Sequence, residues 1–409
     1  MEFIVYRLGE IGNMVVGGDK PSVFSDVKTD DCPIPIYSNG LDKEGLYGYT
    51  NKARIKEKCV TISARGTVGA VFYRNEPFLP IVRLIAYIPN TSLVNDKYLF
   101  YLLRLSRLDG FGTSQQQITA PYLSRIKISI IKNTAIQRRI ASILSAYDNM
   151  IENNNKRIRL LEQMAENLYK EWFVRFRFPG HEKVEMVDSR LGKLPSSFQV
   201  TNMGSVFDDY IGGGWGNDEA SDEFPVAASV IRGADFPNVW HYDLSTCPRR
   251  YHKTSNYKSR QLKDGDIVME ISGGTSEQPV GRTVLVTQEM IDRFEDGRVI
   301  CASFCKMIRL KKDLMSPYFF YYWMHYMYVT RIIDRFQLQS TGIINFKFEP
   351  FLKKGLVMLP PKDIQDAFEK HVVPLIKEIN QLAVQIDNFS RQRDLLLPRL
   401  MSGKLEVKE

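Results

Sequence analysis

The sequence predicts an α+β fold made of two mixed α/β units, each followed by a long helix. Two helix-like stretches indicate this, because one apolar heptad pattern occurs twice along the chain and Ile136-Gln137 returns as Ile364-Gln365. Short apolar and β-branched runs bounded by turn-forming residues precede each stretch, which is typical of strands. These strand-rich segments repeat as well, so the whole chain is predicted to be an internal repeat.

The globular units contain the strand-like runs. They lie at Cys59 to Ser63, Val71 to Tyr73 and Lys127 to Ile131 in the first unit, and at Asp266 to Ile271 and Thr283 to Thr287 in the second. Two further segments, Lys97 to Leu108 and Pro317 to Ile333, are predicted to be helices that contribute to the cores of the units. Each unit is therefore predicted to be mixed α and β.

Matches between the two units keep the same order along the chain. Leu8 to Gly18 matches Met203 to Gly213 near the start of each unit, and Gln137 matches Gln365 at the start of each long helix. The stretch between these matches is longer in the second unit than in the first. The second globular unit is therefore expected to carry additional loop.

The long helices have clear start and stop signals. The first is predicted to run from Thr134 to Phe173, because Asn133-Thr134 can cap its start and Pro179-Gly180 cannot continue it. The second is predicted from Asp363 to about Pro398. Pro374 is expected to kink it or to separate a short lead-in helix.

Each long helix carries one apolar seam on an otherwise charged surface, which suits pairing with another helix. The most direct partner is the other copy, and the heptad pattern alone leaves parallel and antiparallel pairing open. Asn154 is a polar exception that is expected to fix the register of the pair at some cost in stability. The seam residues are Leu144, Ile151, Asn154, Ile158, Leu161 and Leu168 in the first helix, and Val372, Ile379, Leu382, Ile386 and Phe389 in the second.

Composition narrows the class of protein. The 409 residues carry a net charge of +8, which favours a polyanionic partner without identifying it. Five scattered cysteines and an N-terminus unlike a signal peptide lead us to expect a reducing cytoplasm and no disulfide framework. The most apolar run, Tyr318 to Val329, is shorter than the roughly 20 residues of a membrane span and is predicted to be a buried helix.

Cations in turn-rich segments are the candidate binding residues. The segments YTNKARIKEK and PRRYHKTSNYKSR interleave cations with aromatic and amide side chains, as a surface that follows phosphates and contacts bases requires. An ordinary solvated basic surface is the alternative. The candidate DNA-binding residues are Lys52, Arg54, Lys56, Arg65, Thr67, Ser114, Gln115 and Gln116 in the first unit, and Arg232, Arg249, Arg250, Lys253, Lys258, Arg260 and Thr275 in the second.

Motifs for catalysis are absent from the sequence. It contains no GxxxxGK[ST] phosphate loop, no methyltransferase motif and no HExxH zinc motif. Asp266 and Glu270 have a nuclease-like spacing, but Ser272 stands where that pattern needs lysine. The cysteines and histidines lack the spacing of a zinc site, and Gly212 to Gly216 is predicted to be a turn. We therefore predict no catalytic, cofactor-binding or metal-binding residue.

Several short motifs follow one another along the chain. They are Leu8-Gly9, Ile62-Ser63-Ala64-Arg65-Gly66, Gly112-Thr113-Ser114-Gln115, Leu161-Glu162-Gln163, Trp172-Phe173, Gly265-Asp266-Ile267, Thr341-Gly342-Ile343, Leu359-Pro360-Pro361, Arg393 to Leu400 and Ser402-Gly403. In this order they resemble the specificity subunit of a Type I restriction-modification enzyme, and the resemblance covers essentially the whole chain.

The resemblance implies two target recognition domains joined by two helices that form an antiparallel coiled coil, with a pseudo-two-fold internal repeat. It assigns residues 1–133 to target recognition domain 1, 134–178 to the first conserved helical region and 179–197 to a linker. Residues 198–361 then form target recognition domain 2, residues 362–402 the second helical region and 403–409 a C-terminal tail.

The resemblance also implies a function without chemistry in this chain. Each recognition domain would bind one half of a bipartite, asymmetric site in double-stranded DNA, and the helices would set the spacer and bind methyltransferase subunits, expected to be two. Those subunits would use S-adenosylmethionine, and motor-nuclease subunits would use ATP and Mg²⁺. The alternatives are a divergent nuclease or methyltransferase, a coiled-coil scaffold that never binds DNA, and a stand-alone DNA-binding regulator.

Overall fold

The structure is a computed structural model that describes residues 1–106, 108, 117–275, 278–340 and 343–407. The chain divides into two compact units. Unit 1 comprises Met1–Glu152 and Asp387–Glu409, and unit 2 comprises Asn153–Ile386.

Unit 1 contains an antiparallel sheet of four strands, a mixed sheet of three strands and a separate pair. The strand orders are β2-β8-β5-β6, β4-β3-β7 and β1-β9. Helix α1 packs on the four-stranded sheet, and the core between them includes the fully buried Ile62, Tyr87 and Tyr98. The elements are β1 (Phe3–Arg7), β2 (Gly12–Val16), β3 (Ile34–Tyr37), β4 (Leu46–Thr50), β5 (Cys59–Ile62), β6 (Val71–Arg74), β7 (Leu79–Pro80), β8 (Ile85–Pro89), α1 (Asp96–Leu105), α2 (Ala120–Arg125), β9 (Lys127–Ile131) and α3 (Thr134–Tyr169).

Unit 2 contains sheets of order β13-β20-β16-β18, β15-β14-β19 and β17-β22-β21 and the pairs β12-β23 and β10-β11. Its elements are β10 (Met186–Ser189), β11 (Gly192–Pro195), β12 (Gln199–Asn202), β13 (Phe207–Gly212), β14 (Val226–Ile231), α4 (Phe236–Trp240), β15 (Arg249–His252), α5 (Thr254–Arg260), β16 (Ile267–Glu270), β17 (Ser272–Gly274), β18 (Thr283–Leu285), α6 (Gln288–Ile291), β19 (Val299–Cys301), β20 (Cys305–Leu310), α7 (Pro317–Val329), β21 (Gln337–Ser340), β22 (Ile343–Phe346), α8 (Phe348–Lys354), β23 (Leu356–Leu359) and α9 (Lys362–Met401).

The two units have the same strand arrangement. The sheet β2-β8-β5-β6 of unit 1 corresponds to β13-β20-β16-β18 of unit 2, and β4-β3-β7 corresponds to β15-β14-β19. In both β4-β3-β7 and β15-β14-β19, the last pair is parallel and the first is antiparallel. The predicted internal repeat is therefore confirmed. The sheet β17-β22-β21 has no counterpart in the described part of unit 1, and it accounts for part of the additional length of unit 2.

A buried glutamine marks the repeat at the level of single hydrogen bonds. The Gln137 side chain donates to the carbonyl oxygens of Leu93 (3.2 Å) and Ile131 (2.6 Å) and accepts from the Asn95 N–H (2.7 Å). Its counterpart in the second repeat is bonded in the same way: Gln365 donates to Leu314 (3.0 Å) and Pro360 (2.7 Å) and accepts from the Ser316 N–H (2.7 Å). Both glutamines are fully buried.

The long helices contact each other inside each unit. In unit 1, Asp148 of α3 accepts a hydrogen bond from Arg393 of α9 (2.7 Å). In unit 2, Asn154 donates to Gln385 at 3.0 Å, and Arg157 forms an ion pair with Glu378 at 2.6 Å. In unit 2, higher numbers on α3 therefore meet lower numbers on α9, which confirms the antiparallel coiled coil.

The seam residues lie on the packed faces of these helices. Asn154 is 4% exposed and shares the seam with the apolar residues around it. The buried members are Leu144, Ile158, Val372, Ile379 and Leu382, and the half-buried members are Ile151, Leu161, Leu168, Ile386 and Phe389. Phe389 contacts the ring of Tyr147 within unit 1, with centroids 6.3 Å apart.

The predicted separation of a lead-in helix at Pro374 does not occur. The second long helix runs without interruption from Lys362 to Met401 and includes both Pro374 and Pro398. Pro374 lies on an exposed face, where water can satisfy the Lys370 carbonyl that the missing N–H leaves unpaired. The first long helix matches its prediction more closely, since α3 continues into a π-helical turn at Lys170–Val174.

The segment from Gly180 to Ser197, which was predicted to be a linker, contains a β-hairpin. Strands β10 and β11 pair in antiparallel register, and Leu194 is buried in the core of unit 2. In the described residues, no helix is long and apolar enough to cross a membrane. Helix α7, which holds the most apolar run, buries Phe319, Phe320 and Met324 in the core, as predicted.

Candidate nucleic-acid interface

Asn39 ties three loops of unit 1 together. Its Oδ1 accepts from the Ala64 N–H at 2.8 Å, and its Nδ2 donates to the Val82 carbonyl at 2.6 Å. The loop that follows β3 therefore holds the backbone next to Arg65 and the backbone next to Arg83. Both arginines are exposed.

A close backbone approach joins a further loop to this group. The Gly17 N–H donates to the Leu84 carbonyl (2.8 Å), and the Arg83 N–H donates to the Gly17 carbonyl (3.2 Å). A Cβ atom at Gly17 would lie 2.8 Å from the backbone of Ile81, so a larger residue cannot occupy that position without a shift. Arg54 extends across the same loop and donates to the Val16 carbonyl at 3.1 Å.

We call Arg54, Arg65 and Arg83, which lie on these connected loops, the arginine surface of unit 1. All three side chains are exposed, and none forms an ion pair within the described ranges. The Arg65 guanidinium also donates to Gln117 Oε1 at 3.3 Å. Unpaired cations beside an amide group are the side chains that contact phosphates and base edges in nucleic acids.

The remaining candidates of unit 1 lie around this surface. Lys52 and Lys56 are exposed on the segment between β4 and β5. Thr67 is half-buried in the turn after β5, and its hydroxyl has no hydrogen-bond partner in the described part of the chain. The predicted Ser114, Gln115 and Gln116 lie outside the described residues.

Unit 2 repeats the close approach of two loops. Gly213 and Gly214 donate to the carbonyls of Cys305 (3.0 Å) and Cys301 (2.9 Å). A Cβ at Gly213 would lie 2.2 Å from backbone oxygens, which no side chain tolerates. Gly213 is therefore closely packed, and the prediction of a turn at Gly212 to Gly216 is not confirmed. Trp215 in this run is 40% exposed and stacks against Arg250, with the guanidinium 4.5 Å from the ring centroid.

The predicted cations of unit 2 are mostly held by other groups of the same unit. Arg232 binds both carboxylate oxygens of Asp235, and these hydrogen bonds raise the pKa of Arg232. Arg249 forms an ion pair with Asp296 at 2.7 Å. The carboxylates reduce the positive charge that these arginines present to a ligand.

Three other predicted cations of unit 2 are also held by groups of the same unit. Arg250 pairs with Asp218, and Lys253 pairs with Glu223. Arg260 donates to the Gly212 carbonyl at 2.9 Å.

Two candidates of unit 2 remain exposed at its surface. Lys258 lies on α5 and has no ion pair in the described residues. Thr275 is exposed and accepts a hydrogen bond from the Gln278 N–H at 3.1 Å. Unit 2 therefore presents fewer unpaired cations than unit 1 at its predicted positions.

The acidic residues with nuclease-like spacing are structural. Asp266 binds Arg309 through two hydrogen bonds of 2.8 and 2.7 Å, and Glu270 binds Arg282 through two of 2.8 and 2.7 Å. The hydrogen bonds to Asp266 raise the pKa of Arg309. Both carboxylates are buried and neutralised by these arginines. Across the described residues, no group of three or more metal-ligating side chains is present.

Sequence reasoning missed Asn39 and Arg83. Neither belongs to a basic run, and the contacts of Asn39 span 25 and 43 residues of sequence. One signal in the sequence could have helped to find this surface. Leu8 to Gly18 matches Met203 to Gly213, and each of these segments ends in a glycine-containing loop that packs closely against the backbone of its own unit.

The architecture is a repeated α/β unit, and unit 1 has an exposed cationic loop surface. Residues 1–163 match the family model described as "Type I restriction modification DNA specificity domain". Over this part the chain is similar to specificity subunits of Type I restriction-modification systems.

Relatives match this chain over different lengths. A putative type I specificity subunit of Mycoplasma pneumoniae is 39% identical over 140 residues, which is 34% of this chain and 41% of the relative. A second from the same organism is 35% identical over 155 residues and is covered to 42%. The chain thus matches about two fifths of the length of these relatives. The MjaIX specificity subunit of Methanocaldococcus jannaschii is 22% identical, and the match covers 99% of this chain and 94% of that subunit.

A solved structure shares the fold. The crystal structure of a Type I restriction-modification S subunit from M. genitalium has a TM-score of 0.62 at 16% identity and covers 100% of this chain and 97% of that one. At this identity the comparison shows the architecture alone.

Proposed function

We propose that this chain is the DNA-binding specificity subunit of a Type I restriction-modification complex and that it recognises a bipartite, asymmetric target with an unspecified spacer. The observation that carries the proposal is the repeated strand order. A specificity-domain match lies in residues 1–163, and unit 2 has the same sheets in the same order. Two copies of one DNA-binding architecture account for two half-sites.

Differences between the units support an asymmetric target. Unit 1 presents the arginine surface, whereas several arginines of unit 2 are paired with carboxylates. Unit 2 also contains the sheet β17-β22-β21 beside an exposed Thr275. Surfaces with different donors and acceptors select different base sequences, so we expect two unlike half-sites.

The helices are the proposed binding surface for partner subunits. On the unit 2 part of α3, Leu160 and Met164 are 59% and 56% exposed, and Val384 of α9 is 41% exposed. Exposed apolar side chains on a helix are typical of protein interfaces. We propose that methyltransferase subunits, two in number, bind there and use S-adenosylmethionine to methylate adenine.

The chain itself is proposed to have no catalytic activity. Restriction would come from motor-nuclease subunits that use ATP and Mg²⁺. Such a complex would act in the cytoplasm, where the chromosome of a prokaryote lies.

Mapping of methylated adenines tests this proposal. The chain is expressed with its neighbouring methyltransferase gene in a host without adenine methylation, and the genome is sequenced with a method that detects N6-methyladenine. We expect methylation in one motif with two unlike half-sites separated by unspecified bases, and none when either gene is expressed alone. A continuous or palindromic motif would contradict the bipartite proposal, and methylation by this chain alone would show that it is an enzyme.

A further inference from the structure

Unit 2 contains a cavity that DNA recognition does not explain. Its volume is about 230 Å³, and its walls come from α3, α7, α9 and the end of α4. A cavity of about 150 Å³ is large enough to bind benzene. His241 lies on its rim and is exposed, so the cavity is open to solvent.

One polar group in the wall lacks a partner. Asn380 is 2% exposed, and its Nδ2 donates to the Ile376 carbonyl at 2.9 Å. Its Oδ1 is buried and has no hydrogen-bond partner within the described residues. A buried acceptor without a donor costs about 1–3 kcal/mol. The Asn380 side chain lines the cavity, so an N–H group of a ligand can meet this oxygen.

Two carboxylates lie one helical turn apart on the α3 wall. Glu166 is within 3.4 Å of both His325 Nε2 and Lys170 Nζ, whereas Glu162 has no ion pair in the described part of the chain. Burial, followed by the nearby charge of Glu166, raises the pKa of Glu162 to about 7. The described residues therefore contain one half-buried carboxyl group on this wall that forms no ion pair.

Aromatic rings complete the walls. Trp240, Tyr242, Tyr321 and Tyr322 all line the cavity. The Tyr321 ring stacks on His325, with centroids 6.4 Å apart. Aromatic faces attract cations through the negative charge on their π systems, and the same rings exclude water from the alkyl part of a ligand.

We propose that this cavity binds a small primary ammonium ion. The ammonium group would donate to the Oδ1 of Asn380 and to the carboxylate of Glu162, and its alkyl chain would pack against the tyrosines. An ammonium ion supplies the N–H donors and the positive charge that the wall lacks, because the cavity offers unpaired acceptors and aromatic faces.

Isothermal titration calorimetry of the full-length chain without DNA tests the proposal with three probes of similar size. n-Butylammonium has the charge and the N–H donors, 1-butanol lacks the charge, and tetramethylammonium lacks the donors. We expect one n-butylammonium site per chain and at least about tenfold weaker binding of the other two probes.

Substitutions at the cavity locate the site. Glu162→Gln and Asn380→Leu preserve the size of each side chain and should each weaken n-butylammonium binding by at least about tenfold. Glu171→Gln removes a carboxylate that pairs with Arg175 and does not line the cavity, so its affinity should equal that of the wild type. Circular dichroism establishes that each variant is folded.

The pH dependence provides a further readout. A cation stabilises the ionised form of Glu162, so its affinity should fall as the pH decreases from 8 to 6 through the pKa of about 7. The charged groups that act on Glu162 are Glu166 and Arg159 on α3 and His325 on α7. In Glu162→Gln, the dependence should be smaller.

Several results would overturn the proposal. These are an absence of n-butylammonium binding at millimolar concentration, equal binding of 1-butanol, equal binding of tetramethylammonium, and an unchanged affinity in both Glu162→Gln and Asn380→Leu. None of these results bears on DNA recognition, which is measured separately by methylation.

Discussion

Gln137 and Gln365 each form hydrogen bonds with three backbone groups near the start of a long helix. These groups are two carbonyls and one N–H. Substitution with leucine preserves the approximate volume and leaves one N–H and two carbonyls without partners. At about 1–3 kcal/mol for each of these three buried unpaired groups, we expect Gln137→Leu to lower the free energy of unfolding by about 3 kcal/mol or more. Urea unfolding followed by circular dichroism measures the loss.

Two matched variants make that experiment specific. Gln365→Leu should lower stability by a similar amount, because the same bonds recur in unit 2. Gln163→Leu changes an exposed position on α3 that holds no such bonds and should alter stability by less than about 0.5 kcal/mol. Equal stabilities of all three variants and the wild type would show that these buried bonds do not stabilise the fold.

Arg65 is the arginine whose surroundings best fit direct contact with DNA. It is exposed, has no ion pair in the described residues, and lies in the turn whose backbone Asn39 holds. Arg65→Ala should weaken binding to the methylated motif by about 1–3 kcal/mol if the guanidinium contacts a base. Gel-shift titration at fixed salt measures this change.

Comparison with a structural arginine separates binding from folding. Arg250 is 9% exposed and contacts Trp215, so Arg250→Ala should lower the melting temperature as well as DNA affinity. Arg65→Ala should leave the melting temperature unchanged. If Arg65→Ala and the wild type bind DNA equally, Arg65 is not part of the interface.

Residue types in the sequence predicted the arginine surface only in part. Arg54 and Arg65 lie in basic, turn-rich segments, so composition identified them. Arg83 is isolated in sequence, and only the contacts of Gly17 and Asn39 bring its loop beside the others. In unit 2, acids from other segments pair with Arg249, Arg250 and Lys253, and no local pattern in the sequence reveals these pairings.

At the scale of elements, periodicity identified the long helices and left their direction open. The heptad seam is the same for parallel and antiparallel pairing, so only cross-helix pairs such as Arg157–Glu378 resolve the direction. Pro374 does not divide the second long helix, because a proline on an exposed helix face costs less than one whose carbonyl partner is buried. The sheet β17-β22-β21 had no counterpart in the repeat, so the matched pattern did not predict it.

An insertion into the helix pair tests whether it sets the spacer. Seven residues added between Glu152 and Asn153 of α3, together with seven between Ile386 and Asp387 of α9, preserve the heptad register of both seams. They lengthen each helix by about 10 Å at 1.5 Å per residue. We expect the unspecified spacer to grow by roughly three base pairs at about 3.4 Å each, with both half-sites unchanged.

The control for that experiment breaks the register instead. Seven residues inserted into α3 alone shift Asn154 away from Gln385 and leave α9 at its original length. This variant should lose methylation or stability. An unchanged spacer in the doubly extended chain would show that the helices do not measure the distance between half-sites.

At the scale of the whole molecule, each unit has a hydrophobic core drawn from its own residues. The core of unit 1 includes Leu144 of α3 and Leu397 and Leu400 of α9, so residues 1–133 pack against helix positions outside that range. Replacement of residues 1–133 by the matching domain of a relative should therefore succeed when the donor has apolar residues that fit these positions. A poor fit would appear as a lower melting temperature.

The chimera separates modular recognition from recognition by the chain as a whole. If each unit binds its own half-site, the exchange of residues 1–133 changes one half of the methylated motif and leaves the other half and the spacer unchanged. The reciprocal exchange of residues 198–361 should change only the other half. Methylation mapping of both chimeras provides the measurement, and a change in both halves from one exchange would refute modularity. Separate cores and a strand order repeated within each unit are the physical reasons for expecting the first outcome, because each unit can fold around its own contacts while its loops vary.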